Sequence, residues 1–157
     1  MVIKNLIDED FINYKKPSMI LGFPYCDFKC DRECGQQVCQ NSALATAPNI
    51  EVDPMDVIKR YIDNPITQAV CIQGLEAFDS FFDLWTFIFM FRSVSDDDIV
   101  IYTGYNRDEI QDKIKILQES SNIIVKFGRY VPGQQSHYDE LLGVNLASDN
   151  QYAEQIC

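Results

Sequence analysis

Four of the six cysteines of the chain lie within 14 residues, at Cys26, Cys30, Cys34 and Cys39. Thiolates are the ligands that soft and borderline metals prefer, chiefly zinc and the iron of iron–sulfur clusters. The N-terminal segment has no basic region followed by an apolar stretch, so it is unlike a signal peptide and we expect a cytoplasmic location. In a reducing compartment, clustered cysteines favour metal binding over disulfides. Segment 26–39 is therefore the first candidate for a metal site.

The spacing of these cysteines is unusual for structural zinc. Zinc modules carry two pairs of ligands, with about two to four residues between the members of each pair. The pairs Cys26–Cys30 and Cys34–Cys39 meet that condition, but only three residues separate one pair from the other. Zinc modules place their pairs much further apart. Zinc thus stays an alternative, and an iron–sulfur cluster is the interpretation that the rest of the sequence must support or exclude.

Other residues with ligand chemistry lie far from this segment. Cys71 stands inside an apolar run, which predicts a buried thiol that packs as a small hydrophobic side chain. Cys157 is expected to be exposed, and His137 to be a surface loop residue rather than a ligand. The candidate metal ligands are therefore confined to the four clustered cysteines.

Composition excludes two classes of partner. The chain of 157 residues has a formal net charge of −11, which argues against nucleic acid because phosphate backbones attract basic surfaces. No apolar run reaches the roughly 18 residues of a membrane span. The longest, at 81–91, predicts a buried helix, and no linker divides the chain, so we expect one domain over 1–157.

Apolar runs alternate with amphipathic segments along the chain. This alternation predicts an α/β fold with a mostly parallel sheet and right-handed crossovers. Asp53 and Pro54 suit the N-cap and first position of a helix whose buried face carries Met55, Ile58 and Ile62. The predicted strands are 18–23, 68–73, 98–103 and 122–127, and the predicted helices are 53–62, 79–92 and 106–118, the last with Ile110, Ile114 and Leu117 on one face.

Three unusual turns follow the first three predicted strands. The cysteine segment follows the first strand, Gly74-Leu75-Glu76 follows the second, and Gly104-Tyr105 follows the third. Ligands of parallel sheets bind at the carboxyl ends of the strands. We therefore expect the three turns to meet at one edge of the sheet and to form a site there.

The segments at these turns resemble motifs of the radical S-adenosylmethionine family. Cys26-Asp-Phe28-Lys-Cys30 resembles the start of its cluster loop, and Gly74-Leu-Glu76-Ala resembles its Gly-Gly-Glu-Pro turn, with alanine in place of proline. Two further segments resemble the activating proteins of anaerobic ribonucleotide reductase within that family. They are Tyr102-Thr-Gly-Tyr105 and Ser148-Asp-Asn150-Gln151.

The chain departs from the family at the third cysteine. The family places it two residues after the second, whereas here Cys34 follows Cys30 after three residues and Cys39 after eight. Cys39-Gln-Asn41 resembles the Cys-x-Asn of the activating proteins, which favours Cys39 as the third ligand. Cys34 stays the alternative third or fourth ligand.

The resemblance implies a cofactor pair and a set of binding residues. A 4Fe–4S cluster on three cysteines would leave one iron open to S-adenosyl-L-methionine, inside a compact, incomplete βα barrel. Glu76 would hold the ammonium of that cofactor, and Gly74 would let it approach the backbone closely. Without the resemblance, Glu76 is a solvated turn residue. The other implied cofactor-binding residues are Phe28, Tyr102, Ser148 and Asn150, and Arg129 could reach the cofactor carboxylate.

The resemblance also implies partners. The protein substrate would be a glycyl-radical enzyme such as anaerobic ribonucleotide reductase, and a separate protein would donate the electron. Two alternatives stay open at the level of the sequence. One is a radical enzyme acting on a small molecule of the deazapurine type, and the other is a non-catalytic iron–sulfur or zinc module that uses Cys34 as a fourth ligand.

Overall fold

A computed structural model of the chain describes residues 1–157. The strands are β1 (Val2–Ile3), β2 (Asn5–Asp10), β3 (Ser18–Phe23), β4 (Ile50–Glu51), β5 (Ala69–Gly74), β6 (Asp98–Tyr102), β7 (Ile123–Phe127), β8 (His137–Asp139), β9 (Val144–Leu146) and β10 (Tyr152–Gln155). The helices are α1 (Lys29–Cys34), α2 (Ser42–Thr46), α3 (Pro54–Ile62), α4 (Phe81–Arg92) and α5 (Gln111–Leu117), with 3₁₀ turns at Ala77–Ser80 and Arg107–Ile110.

The principal sheet has six strands in the order β10-β7-β6-β5-β3-β2. The four central strands, β3, β5, β6 and β7, run parallel, and the outer strands β2 and β10 run antiparallel to their neighbours. The predicted α/β fold with a mostly parallel sheet is therefore confirmed. The sheet does not close, because β2 and β10 each pair with one neighbour only.

The two faces of the sheet are covered differently. Helices α3, α4 and α5 pack on one face and form a core of 24 buried residues with the strands. A smaller cluster of eight buried residues lies on the other face, where Tyr14, Leu142 and Leu146 cover Cys71 and Val100. No helix of the structure is long and apolar enough to cross a bilayer.

The buried face of α3 differs from the predicted one. Ile58 is buried as expected, but Met55 and Ile62 are exposed, and the other buried side chains are Val57 and Tyr61. Tyr61 packs its ring at 5.0 Å from that of Phe91 and donates its hydroxyl proton to Asp97. The buried face is therefore rotated around the helix axis from the predicted one, toward Val57 and toward Tyr61, whose ring packs in the core while its hydroxyl reaches a polar partner.

Helix α4 is only half buried, against the expectation of a buried helix. Its inner face packs into the core, while Phe82 and Phe89 are exposed on either side of Trp85. The rings of Trp85 and Phe89 stack with centroids 5.8 Å apart. The prediction for α5 and the preceding turn is confirmed, since Ile110, Ile114 and Leu117 are all buried.

Candidate functional site

The three predicted turns meet at the carboxyl edge of the parallel strands. Parallel pairing sets Phe23 beside Gly74, so the chain leaves β3 and β5 at the same level. The backbone N–H of Glu76 donates to Tyr25 O at 2.8 Å, and Gly104 N donates to Glu76 Oε2 at 3.0 Å. These bonds join the turn after β5 to the turns after β3 and β6.

A cavity of about 360 Å³ opens at this edge. This volume lies within the range of small-molecule and cofactor sites. The lining residues are Ile12, Asn13, Cys26, Cys30, Val38, Cys39, Gln40, Asn41, Gln73, Gly74, Leu75, Glu76, Tyr102, Thr103, Gly104, Lys126, Gly128, Tyr130, Val144, Asn145, Leu146, Ala147 and Gln151.

Three of the four clustered cysteines face this cavity. Cys26, Cys30 and Cys39 line it, whereas Cys34 does not. All four are free thiols and half-buried. The trio that the sequence favoured as ligands therefore shares one cavity, and Cys34, at the end of α1, lies outside the lining.

Local hydrogen bonds explain how an eight-residue gap brings Cys39 back to the cavity. Asp31 Oδ1 accepts from the backbone N–H of both Val38 and Cys39, each at 2.8 Å. These two bonds fold the segment after α1 onto that helix. Asn41, two residues later, donates its side-chain N–H to Gly74 O at 2.7 Å. The loop is thus fixed at both sides of Cys39.

Burial raises the pKa of two of the cavity thiols, Cys26 and Cys30. It raises the pKa of Cys26 to about 12, against the opposing hydrogen bond from Phe28 N to Cys26 Sγ. Burial also raises the pKa of Cys30, and Arg129 acts in the opposite direction. Such thiols ionise at neutral pH only when a cation replaces the proton, as metal binding does.

The one set of ligand atoms close enough to share a single metal ion includes neither Cys30 nor Cys39, and its only thiol is that of Cys26. Cys26 Sγ and the carboxylates of Asp27 and Asp79 lie within 4.8 Å of one another. Both carboxylates are exposed, and exposed acidic groups on their own do not make a metal site. The cavity trio has the better chemistry for a soft metal, because all three of its donors are sulfur.

Glu76 is a buried carboxylate rather than a solvated turn residue, with 5% of its surface exposed. Oε1 accepts from Thr103 Oγ1 at 2.9 Å and from Phe78 N at 3.2 Å, and Oε2 accepts from Gly104 N at 3.0 Å. Burial raises the pKa of Glu76 to about 7, although these three donors act to lower it. An ionised carboxylate has about four acceptor positions, so one is left for a ligand in the cavity.

Gly74 is required by its neighbours whatever the cavity holds. Its φ is +110°, and a Cβ there would lie 2.8 Å from Gly22 Cα and 3.0 Å from Phe23 N. The resemblance had implied a close approach of the cofactor to this backbone. The close approach that the structure has is to β3, and Gly74 also lines the cavity.

Lys126 was not among the site residues predicted from the sequence. This side chain lines the cavity with 7% of its surface exposed, and its Nζ donates to Gly128 O at 2.8 Å. Burial lowers the pKa of Lys126 to about 8. An ammonium has three donors, so two are free for an anion. A lysine at the carboxyl end of an otherwise apolar strand was the signal that could have indicated it.

Tyr102 also lines the cavity, as a cofactor-binding role would require. Its ring faces the smaller core cluster, and its hydroxyl donates to Asn13 O at 2.6 Å. This bond fastens the loop between β2 and β3 across the cavity wall. Phe28, in contrast, lines no part of the cavity; it adopts a left-handed conformation at the start of α1, with φ 53°.

The C-terminal motif holds the backbone of the turn after β7. Asn150 Nδ2 donates to Arg129 O at 2.9 Å, and Ser148 is fully buried with its Oγ accepting from Val131 N at 3.3 Å. Neither side chain lines the cavity, whereas their neighbour Gln151 does. Gln151 Nε2 donates to Gly128 O at 3.2 Å. The motif reaches the site through Gln151 and the backbone that it supports.

The remaining ligand-type residues lie away from the cavity. Cys71 is fully buried in β5, as predicted. Cys157 is half-buried rather than exposed, and its thiol contacts Leu117 O at 3.7 Å. His137 belongs to strand β8 rather than to a loop, and it does not line the cavity.

Comparisons of the chain with protein-family models, with curated proteins and with solved structures found no match.

Proposed function

We propose that the chain is a radical S-adenosylmethionine protein that holds a 4Fe–4S cluster on Cys26, Cys30 and Cys39. The observation that carries this proposal is that these three thiols line one cavity and Cys34 does not. Three thiolates on a four-iron cluster leave one iron without a protein ligand. The cavity beside that iron is where a small cofactor would bind.

The cavity has the charge pattern of a site for an amino acid. Glu76 offers a buried carboxylate with one acceptor position, and Lys126 offers a buried ammonium with two donors. S-adenosylmethionine ends in an α-amino acid, whose ammonium and carboxylate would match these two groups. Charge-assisted hydrogen bonds of this kind are about twice as strong as neutral ones.

When bound, the cluster on Cys26, Cys30 and Cys39 and the S-adenosylmethionine beside it would together supply the one-electron reductive cleavage of a sulfonium. The residues of the chain hold the cofactor and limit access by water. Tyr102 closes one wall through its bond to Asn13, and Gln151 fixes the opposite wall through Gly128. Asp31 holds Cys39 in place.

The finer parts of the proposal are an incomplete βα barrel and a protein substrate. An incomplete barrel is a sheet that does not close, and the unclosed sheet here leaves a side for entry to the cavity at its carboxyl edge. Ile12 lines the cavity and is 77% exposed, next to exposed Phe11. An exposed apolar rim suits a protein segment better than a free small molecule. We propose a glycine-bearing loop of a glycyl-radical enzyme as that segment, with a separate electron donor.

The test is anaerobic reconstitution with iron and sulfide, followed by dithionite and S-adenosylmethionine. We expect about four irons per chain, and formation of both methionine and 5′-deoxyadenosine. Cys26→Ala should abolish both, whereas Cys157→Ala, outside the cavity, should leave both unchanged. A full cluster that never cleaves the cofactor, or a single bound zinc in protein purified without oxygen, would refute the proposal.

A further inference from the structure

A network of four charged residues ties the cysteine helix to the rest of the molecule. Arg129 lies at its centre: Nη2 donates to Glu109 Oε1 at 2.6 Å, and Nε lies 3.3 Å from Glu33 Oε2. Lys29 is the fourth member and also bonds to Glu109 Oε1. Lys29 and Glu33 belong to α1, which carries Cys30, while Glu109 belongs to the 3₁₀ turn before α5.

The cation at the centre of this network lies beside a cysteine of the proposed site. A Cβ placed on Gly104 would be 3.6 Å from Cys30 Sγ and 3.7 Å from Arg129 Cγ. Glu76 Oε2 would also be 3.7 Å from that Cβ, so Cys30 Sγ, the side-chain stem of Arg129 and this carboxylate oxygen surround the same glycine. Cys30 and Arg129 also line a small second cavity next to the first, together with Cys26.

Burial decides which of these charges acts on Cys30. The Arg129 side chain is 8% exposed, whereas that of Glu33 is 51% exposed. Water and salt screen an exposed charge much more than a buried one. The guanidinium of Arg129, which also lies 5.9 Å from the ring centroid of Tyr105, is thus less screened than the Glu33 carboxylate. The opposing charge of Glu109 is the more buried of the two carboxylates. The buried carboxylate of Glu76 is the same in wild type and in every Arg129 or Glu109 variant, so it does not contribute to the difference between them.

We propose that Arg129 sets the reduction potential of the metal centre at Cys30, and that Glu109 opposes it. This inference rests on the iron–sulfur cluster of the proposed function. Reduction adds one electron, here from dithionite through a mediator, and makes the cluster more negative by one charge without breaking a bond. A nearby buried cation stabilises the reduced form and raises the potential, and a nearby anion lowers it.

The test measures the potential of the reconstituted cluster in wild-type protein and three variants, by redox titration followed with electron paramagnetic resonance. Arg129→Gln should shift the one-electron equilibrium about tenfold toward the oxidised cluster, which is about 59 mV more negative. Arg129→Lys keeps the charge and should stay close to wild type. Glu109→Gln should shift the potential in the positive direction.

Opposite signs separate an electrostatic role from a structural one, because a loosened loop has no reason to move the potential in opposite directions. The matched control is Arg60→Gln. Arg60 forms an ion pair with Asp8 of β2. This end of β2 pairs with the start of β3, at Ser18, whereas the cysteines follow the other end of β3. The control should leave the potential unchanged.

Each result decides the inference. Equal potentials in wild type and Arg129→Gln would overturn it, as would shifts of the same sign in Arg129→Gln and Glu109→Gln, or an Arg129→Lys shift as large as that of Arg129→Gln. If Arg129→Gln loses its cluster, Glu109→Gln decides alone: a positive shift supports the inference and no shift overturns it. If wild-type protein assembles no cluster, the proposed function fails first and this inference falls with it.

Discussion

At the scale of single residues, the site joins a buried acid to a buried base in one cavity. Glu76 accepts three hydrogen bonds from the protein, and Lys126 donates one hydrogen bond to Gly128 O. Buried polar groups without partners are costly, so these arrangements are stable only if the free positions meet water or a ligand. Burial also raises the pKa of Glu76 in the folded chain, so the protonation of this carboxyl changes the free energy of unfolding.

Glu76 should give the apo protein a stability that falls as pH rises. Its pKa is about 7 in the folded chain, above the 4.5 of an unburied glutamate, so the folded state binds the proton more tightly. Protonated Glu76 contributes about 3 kcal/mol to the free energy of unfolding below pH 4.5. This contribution is lost as the pH rises through about 7. Urea unfolding of wild type and Glu76→Gln between pH 4 and 8, with chelator present, measures the difference.

The test compares how the free energy of unfolding of wild type and of Glu76→Gln changes with pH, because all other acidic groups titrate in both proteins. Glu51→Gln changes an exposed glutamate and should run parallel to wild type. A Glu76→Gln protein whose free energy of unfolding falls between pH 4.5 and 7 as steeply as that of wild type would show that the burial of Glu76 has been overstated.

The cysteines should differ in their effect on the cluster. Cys39→Ala removes a thiol from the cavity, and Cys34→Ala removes one that lies outside its lining. We expect Cys39→Ala to lose most of its iron during desalting after reconstitution and Cys34→Ala to retain it. Iron and sulfide content per chain measures both. The reverse ranking would make Cys34 the third ligand, and loss in both variants would indicate four-thiolate ligation.

At the scale of elements, the turns position the site more than the regular structure does. Helix α1 has no buried residue, so its place depends on polar contacts at its ends and on the network around Arg129. Asp31 is the contact that returns the chain to the cavity, through Val38 N and Cys39 N. Loops without a core of their own are held in this way, by hydrogen bonds to fixed neighbours.

Asp31→Ala should therefore loosen Cys39 without unfolding the chain. Each lost hydrogen bond to a charged acceptor is worth about 1.5–3 kcal/mol. We expect weaker cluster retention and, because two such bonds are lost, a lower melting temperature of a chain that still folds, measured as iron content against dilution time and as melting temperature. Asp112→Ala, whose side chain is fully exposed on α5, is the matched control. A variant that keeps its iron as long as wild type would remove Asp31 from this account.

Gly74→Ala tests the other turn. The φ of +110° and the 2.8 Å approach to Gly22 Cα both oppose a side chain there. Gly133 has φ +81° with no atom within 4 Å of its missing Cβ, so Gly133→Ala should cost only the backbone conformation, about 1–2 kcal/mol. Gly74→Ala should cost clearly more in urea unfolding. Equal losses would mean that the backbones of β3 and β5 separate easily.

The parts of the fold that the sequence predicts are those with a strong apolar signal. Strand β3 and its parallel neighbours are buried on both faces, so continuous apolar runs identify them. The edge strands β2 and β10 were not predicted, because acidic residues such as Asp8 and Glu154 interrupt their apolar pattern. Edge strands are commonly charged in this way, which avoids pairing with other chains.

The sequence predicted the residues of the candidate site that lie in the turns after the strands, but not the other residues that line the cavity. Glu76 and the cysteines follow strands directly, so topology alone places them at one edge. Lys126 and Gln151 reach the cavity through tertiary contacts that no local pattern contains. Ser148 and Asn150 were predicted from a motif but do not line the cavity. Their side chains instead donate hydrogen bonds to the backbone oxygen of Arg129.

At the scale of the whole molecule, the chain has a formal net charge of −11, yet two of its cationic side chains are buried beside cavities. Lys126 lies in the main cavity and Arg129 in the small cavity next to it. We expect this net negative charge to repel nucleic acids and other acidic surfaces. The buried charges are screened little by salt, so they determine local chemistry more than the surface does.

The most direct test of the central claim is electron paramagnetic resonance of the reduced, reconstituted protein with and without S-adenosylmethionine. If Cys26, Cys30 and Cys39 hold the proposed cluster, one iron has no protein ligand, and adding S-adenosylmethionine should change the g-values of the cluster signal. Glu76→Gln should weaken that change, and Cys34→Ala should preserve it. A cluster signal that is identical with and without the cofactor would contradict the account.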